Sequence, residues 1–358
     1  MAGAERVVLG GTAALAALGV VGLTVAVFVD TRAPEHGSRL VASLRALGVT
    51  AEPVAMAGRA DPRAVMALRA LALKADVLHT HGYKALAYGL LARRRGTALV
   101  ASDHGETAVD ARVRGYEQLQ RWLYRRVDAI LAVSSPAVAA LARAGVSQSR
   151  LHLVPNFVPP DLGPLTARTP WTDARPLHVA TLGRLSPEKG LGVLLDAVAA
   201  SALPLRVTLF GDGVERATLA ARVASDPRLA PVVHLPGFAS DVAAALADVD
   251  VLAQPSLREG MPLAVLEAVA LGVPVLASRV GALPDLVTED DNGVLVPPGD
   301  AAALGAGLTR LAQSHAHFTR GAVATAQRLR TERSADHWAH TVVTLYEAVT
   351  RRREARAA

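Results

Sequence analysis

Short apolar runs alternate with amphipathic stretches along nearly the whole chain, and this alternation predicts both the elements and their order. In the first half, the runs at 76–79, 98–102, 129–133 and 151–154 are strand candidates, and the stretches at 62–74, 83–95, 112–126 and 136–144 are helix candidates. Strand followed by helix, repeated, predicts a parallel sheet with helices on both faces. The opening segment is ambiguous, because residues 7–29 carry no charged side chain and are long enough to span a bilayer. Locally it divides. Residues 5–18 are Ala- and Leu-rich like a helix, Gly19 and Gly22 punctuate, and 23–29 is β-branched like a buried strand. Helix plus strand is the reading this favours, with a membrane span or signal peptide as the alternative.

The rhythm stops over 155–176, where Pro159, Pro160, Pro164, Pro170 and Pro176 fall. An interdomain linker belongs there. Strand candidates then resume at 177–182, 205–210, 232–235, 251–253, 273–277 and 294–296. The expected organisation is therefore α/β, with two doubly wound domains at 1–158 and 177–335, a linker at 159–176, and a closing helix at 336–358. That helix spaces Trp338, Val342, Leu345, Tyr346 and Val349 along one face, suited to packing on its own domain or crossing back to the first. Such sheets bind ligands beyond the carboxyl ends of their strands, so two facing domains predict a cleft site.

A chain of 358 residues exceeds what one hydrophobic core usually serves, which agrees with two domains. A net charge of +6 favours anionic partners, but aromatic residues are 4% of the chain and none interleave with the basic runs, which argues against nucleic acid. The absence of cysteine removes disulfides, thiolate nucleophiles and Cys-ligated zinc together. Arg93–Arg95, the run 121–126 and Arg351–Arg353 read as solvated helix faces or, alternatively, as peripheral contact with an anionic membrane.

Two motifs carry candidate chemistry. Residues 183–190 read Gly-Arg-Leu-Ser-Pro-Glu-Lys-Gly, a turn at a strand end that feeds a helix. Unpaired N–H groups and the dipole at a helix start attract anions, and Arg184 and Lys189 add charge aimed at a phosphate pair. A Ser-Pro helix start with two solvated cations is the plainer reading. Residues 255–268 place Glu259 in a loop just ahead of a helix, Pro262 at its first position, and Glu267 inside it. Eight residues of helix cover roughly 12 Å, comparable to the reach from a hexose across a diphosphate to a ribose. Glu267 also stands in a run, 261–275, that has no other charged residue, where an unpaired carboxylate is costly to bury. A helix cap and a surface glutamate are the plainer reading of this pair.

These motifs, in this order, resemble glycosyltransferase family 4. The segments 76–82 (Asp-Val-Leu-His-Thr-His-Gly), 102–105 (Ser-Asp-His-Gly), 128–134, 154–156, 210–213 and 235–238 look like family segments as well, so the resemblance covers most of the chain. The family's EX7E signature falls on Glu259 and Glu267. The resemblance implies a GT-B fold, two Rossmann-like domains facing across a cleft, and a retaining transferase that uses a UDP-, GDP- or ADP-type sugar. It implies a donor on the second domain, with Arg184 and Lys189 on its diphosphate and Gly211, Gly237 and Phe238 around it. Glu259, Gly260, Met261, Pro262 and Leu263 would lie along the sugar and phosphates, and Glu267 would take the ribose. His104 matches the family's active-site histidine, and Gly3, His81 and Asn156 would lie on the acceptor side. The family's usual account has no enzyme nucleophile: the acceptor hydroxyl attacks the face the nucleotide leaves, through an oxocarbenium-like transition state. No cofactor and no metal are expected; no close His and carboxylate cluster is evident, and Asp290-Asp291 suits a turn before Gly293. The expected acceptor is a glycan, a lipid-linked sugar or a small molecule, and the expected location is the cytoplasm or the inner membrane surface.

In one respect the sequence departs from the family, which opens with a strand ahead of a glycine-rich turn. Here Met1-Ala2-Gly3-Ala4-Glu5 already looks like that turn. The expectation is a start assigned about ten residues too far downstream, the length of a strand plus its turn. Lacking that central strand, its two neighbours would each lose a hydrogen-bonding partner. A sugar-nucleotide epimerase of the same architecture and a silent sugar-nucleotide-binding subunit are the competing readings.

Overall fold

The computed structural model describes residues 3–58, 60–105 and 111–357. Two compact units emerge, one from Met1–Gly105, Asp110–Phe157 and Arg333–Ala358, the other centred on Val158–Glu332.

The first unit runs α1 (Gly3–Leu18), β1 (Thr24–Asp30), α2 (Glu35–Ala46), β2 (Thr50–Met56), α3 (Pro62–Ala72), β3 (Val77–His81), α4 (Tyr83–Ala92), β4 (Ala98–Asp103), α5 (Ala111–Tyr124), β5 (Ala129–Ala132), α6 (Ser135–Arg143) and β6 (Leu151–Leu153). The ambiguous opening is thus a helix and a strand, and no described helix is long and apolar enough to cross a membrane. Gly3, expected in a turn, instead begins α1, whose Gly10 and Gly11 lie against Phe157 and Trp338. A Cβ at Gly11 would stand 2.8 Å from the Trp338 ring, so close approach accounts for a residue that helix propensity disfavours. The strand pattern did not reveal α2 or β2, in part because Pro53 interrupts β2. Proline lacks a ladder donor and is tolerated here because β2 pairs on one side only, with β1.

All pairings in this unit are parallel, but they form two sheets, β1-β2 and β3-β4-β5-β6. Both β1 and β3 are paired along one edge. Each therefore presents one unpaired edge among the described residues. Burial follows it: β4 and β5 are almost wholly buried, whereas most of β1 and β3 is only partly so.

The second unit runs β7 (Leu177–Leu182), α7 (Leu191–Ala199), β8 (Leu205–Phe210), α8 (Arg216–Ser225), β9 (Val233–Gly237), α9 (Val242–Ala245), β10 (Val251–Gln254), α10 (Leu263–Ala270), β11 (Val275–Ser278), α11 (Leu283–Leu286), β12 (Gly293–Val296), α12 (Ala301–Gln313) and α13 (His315–Glu332). Its single parallel sheet has the order β12-β11-β10-β7-β8-β9. Apolar side chains cover both faces, Leu194, Leu195 and Leu308 on one and Val265, Leu266 and Val269 on the other, which explains why these strands read as continuous apolar runs. Val158 and Leu162 join the second of these clusters, so the proline-rich segment is anchored to this unit from its first residues. The chain then returns through α14 (Ala335–Ala357), which packs on α1 and β4 of the first unit.

Candidate functional site

The strand order of the second unit reverses between β7 and β10, and a crevice at such a switch point is where doubly wound sheets bind ligands. The loops leaving these two strands are the two motif segments. After β7, a 3-10 turn at Pro187–Lys189 and a left-handed Gly190 (φ 63°) lead into α7. After β10, Glu259 precedes α10, for which Pro262 is the capping residue, one position earlier than its sequence context suggests.

Backbone contacts stitch these loops together. Leu257 N donates to Glu188 O at 2.8 Å, and a Cβ on Gly190 would meet Pro255 O at 2.3 Å. Gly211 N donates to Gly237 O, and Ala282 N to Gly260 O, both at 2.8 Å. Gly211 itself (φ 142°) has no room for a side chain, since its Cβ would fall 1.7 Å from Gly183 O.

Within this frame Glu259 Oε1 accepts three side-chain hydrogen bonds: Lys189 Nζ at 2.5 Å, Gln254 Nε2 at 2.7 Å and Ser256 Oγ at 2.7 Å. The carboxylate is 4% exposed and its lysine partner 20%, so the ion pair is largely withdrawn from water. Such a pair holds its geometry only when further donors satisfy it, and Gln254 and Ser256 supply two. Neither was singled out in the sequence, although both immediately precede the Glu259 loop. Glu267 is buried within α10, at 1% exposure. Arg184 is exposed beside Gly183, Met261 and Pro262 are buried, Leu263 is partly buried, and Phe238 projects into solvent at 68% exposure after β9. The residues predicted for the donor therefore surround the carboxyl ends of β7, β8, β9 and β10.

The remaining predicted residues lie in the first unit. His81, at the end of β3, and His104, just beyond β4, meet with Nδ1 and Nε2 at 3.1 Å. Their rings are stacked at 5.4 Å and 24°, and His79 stacks on the other side of His81 at 4.6 Å and 30°. His79 is held at both nitrogens, by Tyr346 OH at 2.7 Å and Ser102 Oγ at 2.8 Å. Burial depresses all three imidazoles: His79 to about 3, His104 to about 4, and His81 well below its usual value, with neighbouring ring charge adding to the effect on His79 and His81. All three are neutral at physiological pH. Asn156 is buried in the segment after β6. Among the described residues no group of three His, Cys, Asp or Glu is arranged to hold a metal ion. Residues 106–110, which follow the Ser-Asp-His-Gly segment, lie outside the described residues.

Known families match both halves of the chain. A model described as Glycosyltransferase Family 4 covers residues 1–162, and one described as Glycosyl transferases group 1 covers 176–314. A GDP-mannose-dependent alpha-mannosyltransferase of Mycolicibacterium smegmatis is 34% identical over 313 residues, 83% of this chain and 79% of that protein. The putative colanic acid biosynthesis glycosyltransferase WcaL of Escherichia coli is 31% identical over 202 residues, 53% of this chain and only 49% of that protein. Among solved structures, Anabaena HepE in complex with UDP-glucose superposes with a TM-score of 0.80 over 97% of this chain and 96% of that one, at 19% identity. That likeness shows the fold, which is GT-B with two Rossmann-like domains.

Proposed function

The chain belongs to glycosyltransferase family 4, and from that premise we propose that it transfers a sugar from a nucleoside diphosphate to an acceptor hydroxyl with retention of configuration. The observation that carries this reading is the buried Lys189–Glu259 pair, held between two loops at the switch point of the second sheet. In a sugar nucleotide the leaving phosphate and the transferred sugar are neighbours, and a cation beside a carboxylate matches them. Lys189 and Arg184 would take the diphosphate, aided by the first-turn N–H groups of α10, which lack intrahelical acceptors. The three bonds to Glu259 all fall on Oε1, which leaves Oε2 to accept from sugar hydroxyls. Glu267, one helix away, suits the ribose.

As the glycosidic bond breaks, positive charge grows on the sugar ring and negative charge on the leaving phosphate. Preorganised cations and N–H groups at the phosphate then contribute most to the rate. With leaving charge met by the chain's own groups, transfer needs no metal in this reading. His104, neutral, would hydrogen-bond the transferred sugar, and an acceptor approaching from the same side would attack the face the nucleotide leaves. The relative from Mycolicibacterium smegmatis is named for GDP-mannose and the Anabaena structure holds UDP-glucose, so these two donors are the first to test.

Each donor is incubated with an acceptor panel in the presence of EDTA, and nucleoside diphosphate and glycoside are both measured. Glu259→Ala is expected to lower kcat on the order of 100-fold or more, as removal of a key electrostatic group does. Glu267→Ala is expected to raise the donor KM by about 10- to 100-fold, as for lost hydrogen bonds to a charged group. Equal activity in wild type and both variants would remove the reading. A rearranged sugar nucleotide would indicate an epimerase, and binding without turnover a silent subunit.

The same reading includes peripheral contact with an anionic membrane on its cytoplasmic side. Arginines far apart in sequence meet at the amino ends of β4 and β5: Arg353 and Arg93 share Asp128 at 2.7 and 3.6 Å, and Arg126 lies 3.6 Å over the half-exposed Trp122 ring. An exposed indole beside guanidinium groups suits a headgroup layer. Flotation with anionic vesicles but not zwitterionic ones is the expected result; equal recovery would end the idea.

A further inference from the structure

We propose that His81 is a positioning residue for His104, fixing its tautomer and ring plane, and that Tyr346 and Ser102 hold the far end of the histidine stack through His79. This rests on the reading that His104 meets the transferred sugar.

The strand period places His79 and His81 on one face of β3, two residues apart, and parallel pairing puts His81 opposite Ser102 on β4, two residues before His104. His81 Nδ1 and His104 Nε2 are 3.1 Å apart. Between neutral imidazoles that distance is a hydrogen bond only when one nitrogen carries a proton and the other does not. The two rings must therefore adopt the same tautomer, both Nδ1–H or both Nε2–H, and the second nitrogen of His104, Nδ1, is then a donor only or an acceptor only. A histidine's tautomer is set by the bond its other nitrogen makes, and here that bond is to His81. His81 is fixed in turn by stacking on His79, whose two nitrogens are pinned by hydroxyls on different elements, Tyr346 on α14 and Ser102 on β4. A ring filling space would need none of these polar contacts.

Two substitutions separate hydrogen bonding from packing. His81→Asn keeps a polar group near the position of Nδ1 and loses the ring; His81→Phe keeps the ring and loses the nitrogen. If His81 positions His104, His81→Phe lowers kcat about 10- to 100-fold, as loss of an orienting partner does, while His81→Asn stays within a few-fold of wild type. The affinity for UDP or GDP alone stays unchanged in both. Tyr346→Phe, which removes one hydroxyl and keeps the ring, lowers kcat in the same direction by less, and it carries the test should His81→Phe fail to fold. An active His81→Phe with an impaired His81→Asn would show that the ring only packs, and would overturn the proposal. The 15N shifts of His104, assigned by their loss in His104→Gln, give a readout independent of turnover. A single tautomer is expected in wild type and in His81→Asn, and a mixture in His81→Phe. A mixture in wild type refutes the positioning role, whereas a wild type with one tautomer but no transfer to any acceptor would sink only the transferase reading.

Discussion

Glu259 and Lys189 show how a buried ion pair trades stability against use. Replacing Lys189 by Met leaves a carboxylate that is 4% exposed facing only Gln254 and Ser256. Loss of one partner from a buried pair costs about 3–5 kcal/mol, and the two neutral donors should keep the loss near the lower end. The double variant Lys189→Met, Glu259→Leu should recover most of that stability while remaining inactive, and urea denaturation of both variants beside a transfer assay checks it. The histidines predict a pH dependence of stability. Folded, His79 stays neutral down to about 3 and His104 down to about 4, and His81 is likewise held well below its usual value, whereas an unfolded histidine protonates near 6.5. Between those values the unfolded chain binds more protons, so stability falls as pH falls below about 6.5, by up to about 1.4 kcal/mol per pH unit for each histidine. His178 and His315, depressed mainly by burial, add the same sign in the second unit. Melting temperatures between pH 7 and pH 5 should fall steadily, and less steeply in His79→Gln.

At the scale of elements, the first unit's two sheets should behave as separate cooperative pieces. No ladder joins β1 to β3, so amides of β1 and β2 can open without breaking the β3–β6 ladder. Hydrogen exchange should show β1 and β2 losing protection together and well before β4 and β5; uniform protection across both sheets would contradict this. The same elements show what the sequence could convey. β4, β5, β7, β10, β11 and β12 are buried along nearly their whole length and read as apolar runs, so they were legible with ends correct to within about two residues. β2 was not legible, because an edge strand with Pro53 and alternate exposure lacks that signature. The Glu259 and Glu267 spacing stood out because charge is rare in an apolar run. Gln254 and Ser256 did not, and Tyr346 read only as part of an apolar helix face, because neutral polar groups gain their meaning from what they touch, and those partners lie on other elements or across a turn.

At the scale of the molecule, the two units differ in how the chain builds them. The second is built mainly from one uninterrupted stretch, Val158–Glu332, whereas the first is closed by α14, whose Trp338 packs against Phe157 at 5.2 Å. Trp338→Ala should destabilise the first unit by roughly 3–5 kcal/mol, as large aromatic truncations in cores do. Saturating nucleoside diphosphate should still raise the melting temperature of the second unit by mass action. A loss of nucleotide stabilisation in this variant would mean that the donor site depends on the first core.

The return of α14 also orders events in time. His79 and Tyr346 are 267 residues apart, and everything between them, Val158–Glu332 included, is synthesised before the hydroxyl that anchors His79 exists. Synthesis adds only about 5–20 residues per second, so His79 waits on the order of ten to fifty seconds after it is made for that hydroxyl. The stack on β3 would thus be among the last parts of the protein to mature, because its anchor lies on the helix that closes the first unit.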